Sequence, residues 1–162
     1  MEQIEAWSEF NVAMVGATAA LAGLVIVASS VNIAEIIKSN TLTARLAAAI
    51  AALVLAIVVT GVGLVPDVGT LWYGVVIGVS TLVAAIFQVH ATRVIMRDPD
   101  PEHVGRVLKA ALGFAPIVAY AASSVVLLLG EPAGLTIAAA GTLLTIVSAI
   151  VVSWVALVEV LR

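Results

Sequence analysis

Six of the polar residues inside the long apolar runs of the sequence have side chains that could serve transport or binding. They are Asn11, Thr18, Ser29, Asn32, Gln88 and His90. Amide, hydroxyl and imidazole groups could line a path for an ion or a small solute, because a pore need not be lined by charge. The same groups could instead hydrogen-bond within or between packed helices, at about 0.6 kcal/mol per bond on average in a membrane. For the first-helix residues the sequence favours this second interpretation.

His90 is the most deeply placed titratable residue, with Gln88 two positions before it and Arg93 three positions after it. Histidine titrates near neutral pH, so His90 could act as a pH sensor or as a gate. Its place near the end of an apolar run also fits an ordinary histidine at the membrane interface. We favour this simpler interpretation and keep the polar path open.

The polar segment 93–109 contains four potential metal ligands: Asp98, Asp100, Glu102 and His103. Their spacing matches neither the zinc patterns nor the EF-hand loop, whereas Asp100 suits a helix N-cap before Pro101. The sequence also has no cysteine, no phosphate-binding glycine loop, no nucleophile elbow and no His-x-x-x-His pair. We therefore expect no metal site, no cofactor and no enzyme activity.

The rest of the chain consists of apolar segments long enough to cross a bilayer. Of its 162 residues, 63% are hydrophobic and 10% are charged, with a mean hydropathy of +1.23. Soluble domains carry about 25% charged residues. Five segments have the roughly 20 residues that a membrane span requires: residues 10–37, 43–65, 69–96, 104–129 and 132–161. The sequence predicts one all-α domain, residues 1–162, built as a bundle of five transmembrane helices.

All basic residues fall on one side of such a bundle. They are Lys38, Arg45, Arg93, Arg97, Arg106, Lys109 and Arg162. The positive-inside rule places this side in the cytoplasm, together with the C-terminus, and the N-terminus outside. Trp72 and Tyr73 then fall near the outer interface. A net charge of −3 and the lack of a basic tract argue against nucleic acid as a partner.

Small residues recur at spacings of three and four along several predicted helices, and such seams let helix backbones approach closely. The seams contain Gly16 and Gly23 in the first helix, Ala49, Ala52 and Ala56 in the second, Gly74 and Gly78 in the third, and Gly134 and Gly141 in the fifth. The first-helix seam lies about 140° from the Asn11–Thr18 stripe at 100° per residue, which favours a place at the bundle centre or at an oligomer interface. Packing within the bundle accounts for most seams, and we expect at least one to contact a neighbouring chain.

The fourth predicted helix contains Pro116, which removes a backbone hydrogen bond and should kink the helix. Tyr120, Ser123 and Ser124 follow one to two turns later. Their hydroxyls could satisfy backbone groups that the proline leaves free.

The segment Phe10–Ile33, rich in alanine, glycine and valine, resembles the first span of small uncharacterised bacterial membrane proteins. Some of these proteins are labelled modulators of a membrane-bound protease. The resemblance covers 24 residues. It implies the bacterial plasma (inner) membrane and carries over no catalytic residue.

These features predict a small polytopic membrane protein that acts through helix association. It would work as a homo-oligomer or as an accessory subunit of a membrane complex, with the lipid bilayer and other membrane-protein subunits as its partners. The alternative is an oligomeric channel or passive transporter whose path is lined by the polar stripe of the first helix.

Overall fold

The chain folds into helices joined by short turns. The computed structural model describes residues 2–97 and 106–160, with side chains described over 3–97 and 111–154. Within these residues the helices are α1 (Glu2–Glu5), α2 (Ser8–Val31), α3 (Ile33–Ile36), α4 (Asn40–Val62), α5 (Thr70–Arg97), α6 (Arg106–Leu128) and α7 (Ala133–Val160). Five of them, α2 and α4 to α7, contain stretches long and apolar enough to cross a membrane. The predicted all-α fold with five helices long and apolar enough to span a membrane is confirmed.

Helix α4 occupies the centre of the bundle. It packs against α2, α5 and α7, while α6 packs between α5 and α7. Helix α2 lies at the edge, against α4 and, over a smaller area, against α7. Within the described chain the first span is therefore peripheral and not central, and the oligomer interface predicted for it stays a prediction.

The predicted first helix, residues 10–37, is interrupted at Asn32. This residue has φ −106° and ψ 17°, and its Nδ2 donates to the carbonyl oxygen of Ala28 at 3.0 Å. Helix α2 ends at Val31, and the short helix α3 continues the chain to Ile36.

The ends of the spans have recognisable local causes. Ser39 precedes α4 in an extended conformation, and its Oγ accepts a hydrogen bond from the Leu42 amide at 3.2 Å, which is an N-cap. Gly130 follows α6 with φ +84°. Glycine adopts this left-handed conformation without strain, and it commonly terminates helices. These turns set adjacent spans antiparallel, so polar residues distant in sequence meet at the same depth.

Candidate functional site

The most polar part of the bundle interior surrounds Arg45, where α4 to α7 meet. Arg45, Gln88, Gly113 and Ser148 line a cavity of about 30 Å3 together with small apolar residues. The Arg45 side chain is only 7% exposed. A Cβ at Gly113 would occupy the space of the Gln88 carboxamide, so glycine makes room for it. The cavity exceeds the roughly 10–15 Å3 that one water molecule needs.

The sequence places Arg45 with the other basic residues on one side of the bundle and does not predict its burial. A signal was present in the sequence. Arg45 lies four residues before Ala49, which begins the seam that continues through Ala52 and Ala56, and residues four apart share a helix face. Arg45, Ala49 and Ala56 are all buried in α4. A charged group inside a spanning helix is costly and commonly marks a functional position.

Gln88 and His90 lie on opposite sides of α5, because two helical residues are about 200° apart. Gln88 is buried among α4, α6 and α7, whereas His90 is exposed beside the first turns of α4. The nearest hydrogen-bond partner of Gln88 is Thr92 of the same helix, at 3.5 Å between Nε2 and Oγ1. The structure therefore does not bring Gln88 and His90 together.

The polar stripe of the first span faces the interior of the chain's own bundle in its first half. Asn11 is 6% exposed and Thr18 is fully buried. Thr18 donates to the carbonyl oxygen four residues earlier at 2.7 Å. Ser29 and Asn32 are half-buried and make the same kind of bond, at 2.7 and 3.0 Å. Three of the four residues thus hydrogen-bond within their own segment.

Asn11 is the exception, since its carboxamide makes no hydrogen bond within the described residues. It lines a cavity of about 10 Å3 with Thr60, Tyr73 and Thr142. Tyr73, expected near the outer interface, turns inward and donates to the carbonyl oxygen of Val59 at 3.0 Å. The cavity is at the lower limit for a single water molecule. Asn11 is therefore a buried polar group beside a small internal space.

The hydroxyls of α6 tie this helix to both of its neighbours. Ser124 Oγ bonds the Gly74 carbonyl oxygen on α5 at 2.8 Å, Ser123 Oγ bonds the Gly134 carbonyl oxygen on α7 at 2.7 Å, and the Tyr120 and Thr142 hydroxyls are 2.9 Å apart. They do not serve the backbone near Pro116, because their bonds cross to other helices. Interhelical bonds of this kind fix which helix faces meet.

Four of the six seam glycines are packed inside the chain. A Cβ added at Gly74 or Gly134 would meet the Leu127 side chain. One added at Gly78 would meet the Ser124 hydroxyl, and one added at Gly141 would meet the ring of Tyr120. A Cβ added at Gly16 or Gly23 would meet no atom within 4 Å. The seams of α5 and α7 thus pack against α6, whereas the seam of α2 has no neighbour in the described part of the chain.

The outward side of α2 has an unusual composition. Over residues 13–23 every exposed residue is alanine or glycine: Ala13, Gly16, Ala17, Ala19, Ala20 and Gly23. We call this surface the small-residue face of α2. The exposed side of α5 instead carries large apolar side chains such as Leu71, Leu82 and Ile86. Residues 13–23 of α2 therefore present a different surface from α5, whereas Val12 and Leu24 on either side of them are large and exposed.

Within the described residues, no group of three or more His, Asp or Glu side chains could hold a metal ion. The four potential ligands Asp98, Asp100, Glu102 and His103, and the capping role predicted for Asp100, lie outside those residues. The serines of α6 donate to backbone carbonyls and not to a base. The described interior thus provides helix-joining hydrogen bonds and one buried cation. No protein-family model, curated protein or solved structure matches the chain.

Proposed function

We propose that the protein works through helix association in the membrane, not as an enzyme, and that it assembles with further copies of itself through the small-residue face of α2. The observation that carries this proposal is the restriction of that face to alanine and glycine over residues 13–23. Membrane helices associate by close van der Waals contact, which small side chains permit. Large apolar side chains, as on α5, suit contact with acyl chains.

The spacing on this face suits a helix of the same kind. Gly16, Ala20 and Gly23 follow one another at intervals of four and three, the pattern of a shallow left-handed crossing. The face carries no charge between residues 13 and 23. A surface of this kind can pair with its own copy about a two-fold axis, the commonest symmetry of homo-oligomers.

A matched pair of substitutions tests the proposal. Ala20→Ile adds a bulky side chain at the centre of the small-residue face, and Ala140→Ile makes the same change on an exposed position of α7. The oligomer is measured by native mass spectrometry after gentle extraction with lipid. We expect Ala20→Ile to release folded monomer and Ala140→Ile to leave the assembly intact. A wild-type protein that is monomeric in lipid would refute self-association.

An accessory subunit is the other form of the same proposal. In that case the wild-type chain would be recovered with a different membrane protein, and Ala20→Ile would release that partner.

The oligomeric channel remains an alternative prediction. Asn11 and Thr18 are buried on the side of α2 opposite its small-residue face, so a pore between copies joined by that face would not be lined by them. Flux of ions or small solutes across reconstituted vesicles would support the channel, and its absence would count against it.

We also propose that the end of the bundle with Lys38, Arg93 and Arg97 faces the cytoplasm, in accordance with the positive-inside rule. Lys38 and Arg97 line one groove, which supports a common basic end. The chain has no cysteine, so single cysteines can report sidedness. In intact cells an impermeant maleimide should label Glu131→Cys and leave Asn40→Cys unlabelled. The reverse pattern would invert the proposed topology.

A further inference from the structure

A groove opens between the first turns of α4 and the last three turns of α5, at the basic end of the bundle. Its volume is about 870 Å3, far larger than the internal cavities. The apolar part of its lining consists of Ala44, Ala47, Phe87 and Val94. Phe87 is 45% exposed, so this surface is not covered within the described residues. The apolar lining extends along α5 from Val94 to Phe87, toward the middle of the helix.

The other part of the groove lining is polar and cationic. It contains Lys38, His90 and Arg97 together with hydroxyls of Ser39 and Thr43. Among the residues that the structure describes, no carboxylate lines the groove. Lys38 Nζ lies 2.7 Å from the Glu35 carboxylate, an exposed pair that leaves part of the lysine's capacity for hydrogen bonding. Arg97 makes no ion pair within the described residues, and its side chain is exposed beside the groove.

We infer that this groove binds an anionic phospholipid, with the phosphate beside Arg97 and Lys38 and an acyl chain along Phe87 and Ala47. Basic pockets between membrane helices bind acidic lipid headgroups. Arginine binds phosphate oxygens through paired N–H donors, which gives both strength and orientation. The N-terminal end of α4, which borders the groove, adds the positive end of a helix dipole. The apolar lining suits a lipid better than free phosphate.

The test compares phosphatidylglycerol with phosphatidylcholine, added separately to the purified full-length protein and followed by native mass spectrometry. The wild-type chain should retain phosphatidylglycerol preferentially. Arg97→Gln should weaken phosphatidylglycerol binding about fivefold, the equivalent of about 1 kcal/mol for one basic residue near a membrane surface. Ala47→Trp fills the groove without changing charge and should also remove the preference. Helix content and elution volume establish that both variants fold.

Arg93 provides the matched control. It is exposed on the same end of α5 but does not line the groove. Arg93→Gln should therefore change phosphatidylglycerol binding less than twofold. An equal loss in Arg93→Gln and Arg97→Gln would mean diffuse surface charge and would overturn the proposal.

Other occupants give different results, and each would also overturn the proposal. If the acidic segment 98–105 fills the groove, the wild-type chain should show no lipid preference until Asp98 and Asp100 are neutralised. If a second copy fills it, Ala47→Trp should reduce the oligomer and leave lipid binding unchanged. Retention of equal amounts of both lipids by the wild-type chain would leave no basis for a specific site.

Discussion

Ser124 on α6 and Gly74 on α5 are joined by a 2.8 Å hydrogen bond from the serine hydroxyl to the glycine carbonyl oxygen, across 50 residues of sequence. The bond depends on a second glycine one turn further along α5. A Cβ added at Gly78 would lie 2.7 Å from Ser124 Oγ, closer than real Cβ contacts allow, but 3.7 Å from Ser124 Cβ. Gly78 thus provides the space in which the hydroxyl reaches Gly74.

The first prediction is that Gly78 and Ser124 are energetically coupled. In the wild-type chain Gly78→Ala should displace the Ser124 hydroxyl and break its hydrogen bond to Gly74. The free energy of unfolding should then fall by about 0.6 and at most about 1.7 kcal/mol, the range for interhelical bonds in a membrane. In a Ser124→Ala background the same substitution meets only an ordinary contact. Gly78→Ala should therefore be less costly there by that amount, measured as the free energy of unfolding in a detergent–denaturant titration.

Ser153→Ala is the control for this cycle, because the Ser153 hydroxyl donates to the carbonyl oxygen of Ala149 on its own helix, at 2.8 Å. Its effect should be small and should add to that of Gly78→Ala. Full additivity between Gly78→Ala and Ser124→Ala would contradict the structural relationship, since residues that share one contact are expected to couple.

The membrane class and the number of spans could be predicted from sequence because the apolar runs are long and nearly free of charge. The break at Asn32 could not, because its backbone leaves the helical conformation, with ψ 17°, inside an apolar run that carries no turn signal. A single polar residue such as Asn32 does not interrupt an apolar run as it is read from the sequence. The sequence therefore predicts a first helix that continues to residue 37.

The seams show a second limit. Small residues at helical spacing identify a face that permits close approach, but they do not identify its neighbour. Gly74, Gly78 and Gly134 pack against residues of α6, whereas Gly16 and Gly23 face outward.

The separation of Gln88 from His90 could have been predicted, because a difference of two residues places side chains on nearly opposite sides of a helix.

The second prediction concerns the contact between α6 and α7 at Gly134. An added Cβ there would lie 2.5 Å from Leu127 Cγ and 2.9 Å from the Ser123 carbonyl oxygen. Because one neighbour is backbone, the helices must separate, and Gly134→Ala should lower the free energy of unfolding by about 1–3 kcal/mol. Gly61→Ala is the control, since a Cβ at that helical position meets nothing within 4 Å.

Gly61→Ala should be neutral or stabilising, because alanine favours a helix over glycine by up to about 1 kcal/mol. Both variants are compared by thermal unfolding in the same detergent. A Gly134→Ala protein as stable as Gly61→Ala would mean that α6 and α7 do not meet as closely as the structure places them.

The third prediction concerns Asn11, whose buried carboxamide has no hydrogen-bond partner within the described residues. An unsatisfied buried polar group costs about 1–3 kcal/mol. Leucine has the same branching as asparagine, so Asn11→Leu should stabilise the protein by an amount in this range. Thr18→Val, at a fully buried hydroxyl already bonded within its helix, should change stability less.

Denaturant titration in detergent measures both changes. Destabilisation by Asn11→Leu would show that the carboxamide has a partner in the protein, such as a water molecule in the cavity of about 10 Å3 that it shares with Tyr73 and Thr142. Increased stability accompanied by loss of a measured flux would instead indicate that the buried amide serves transport at the expense of stability.

The fourth prediction is that Tyr120 and Thr142 act as a pair. Their hydroxyls are 2.9 Å apart in the buried contact between α6 and α7, and the tyrosine ring lies where a Cβ at Gly141 would approach within 3.2 Å. Tyr120→Phe and Thr142→Val should each weaken the contact. Their coupling energy in a double-mutant cycle should be about 0.6 kcal/mol, the average for interhelical bonds in a membrane.

Thr60→Val provides the control for this cycle, because the buried Thr60 hydroxyl bonds the carbonyl oxygen of Ala56 on its own helix at 2.7 Å. Thr60→Val combined with Tyr120→Phe should give additive losses, since the two side chains share no hydrogen bond. If the Tyr120–Thr142 pair were equally additive, their hydroxyls would not be bonded in the folded protein. α6 would then be held against α7 by the Gly134 and Gly141 contacts and the Ser123 bond.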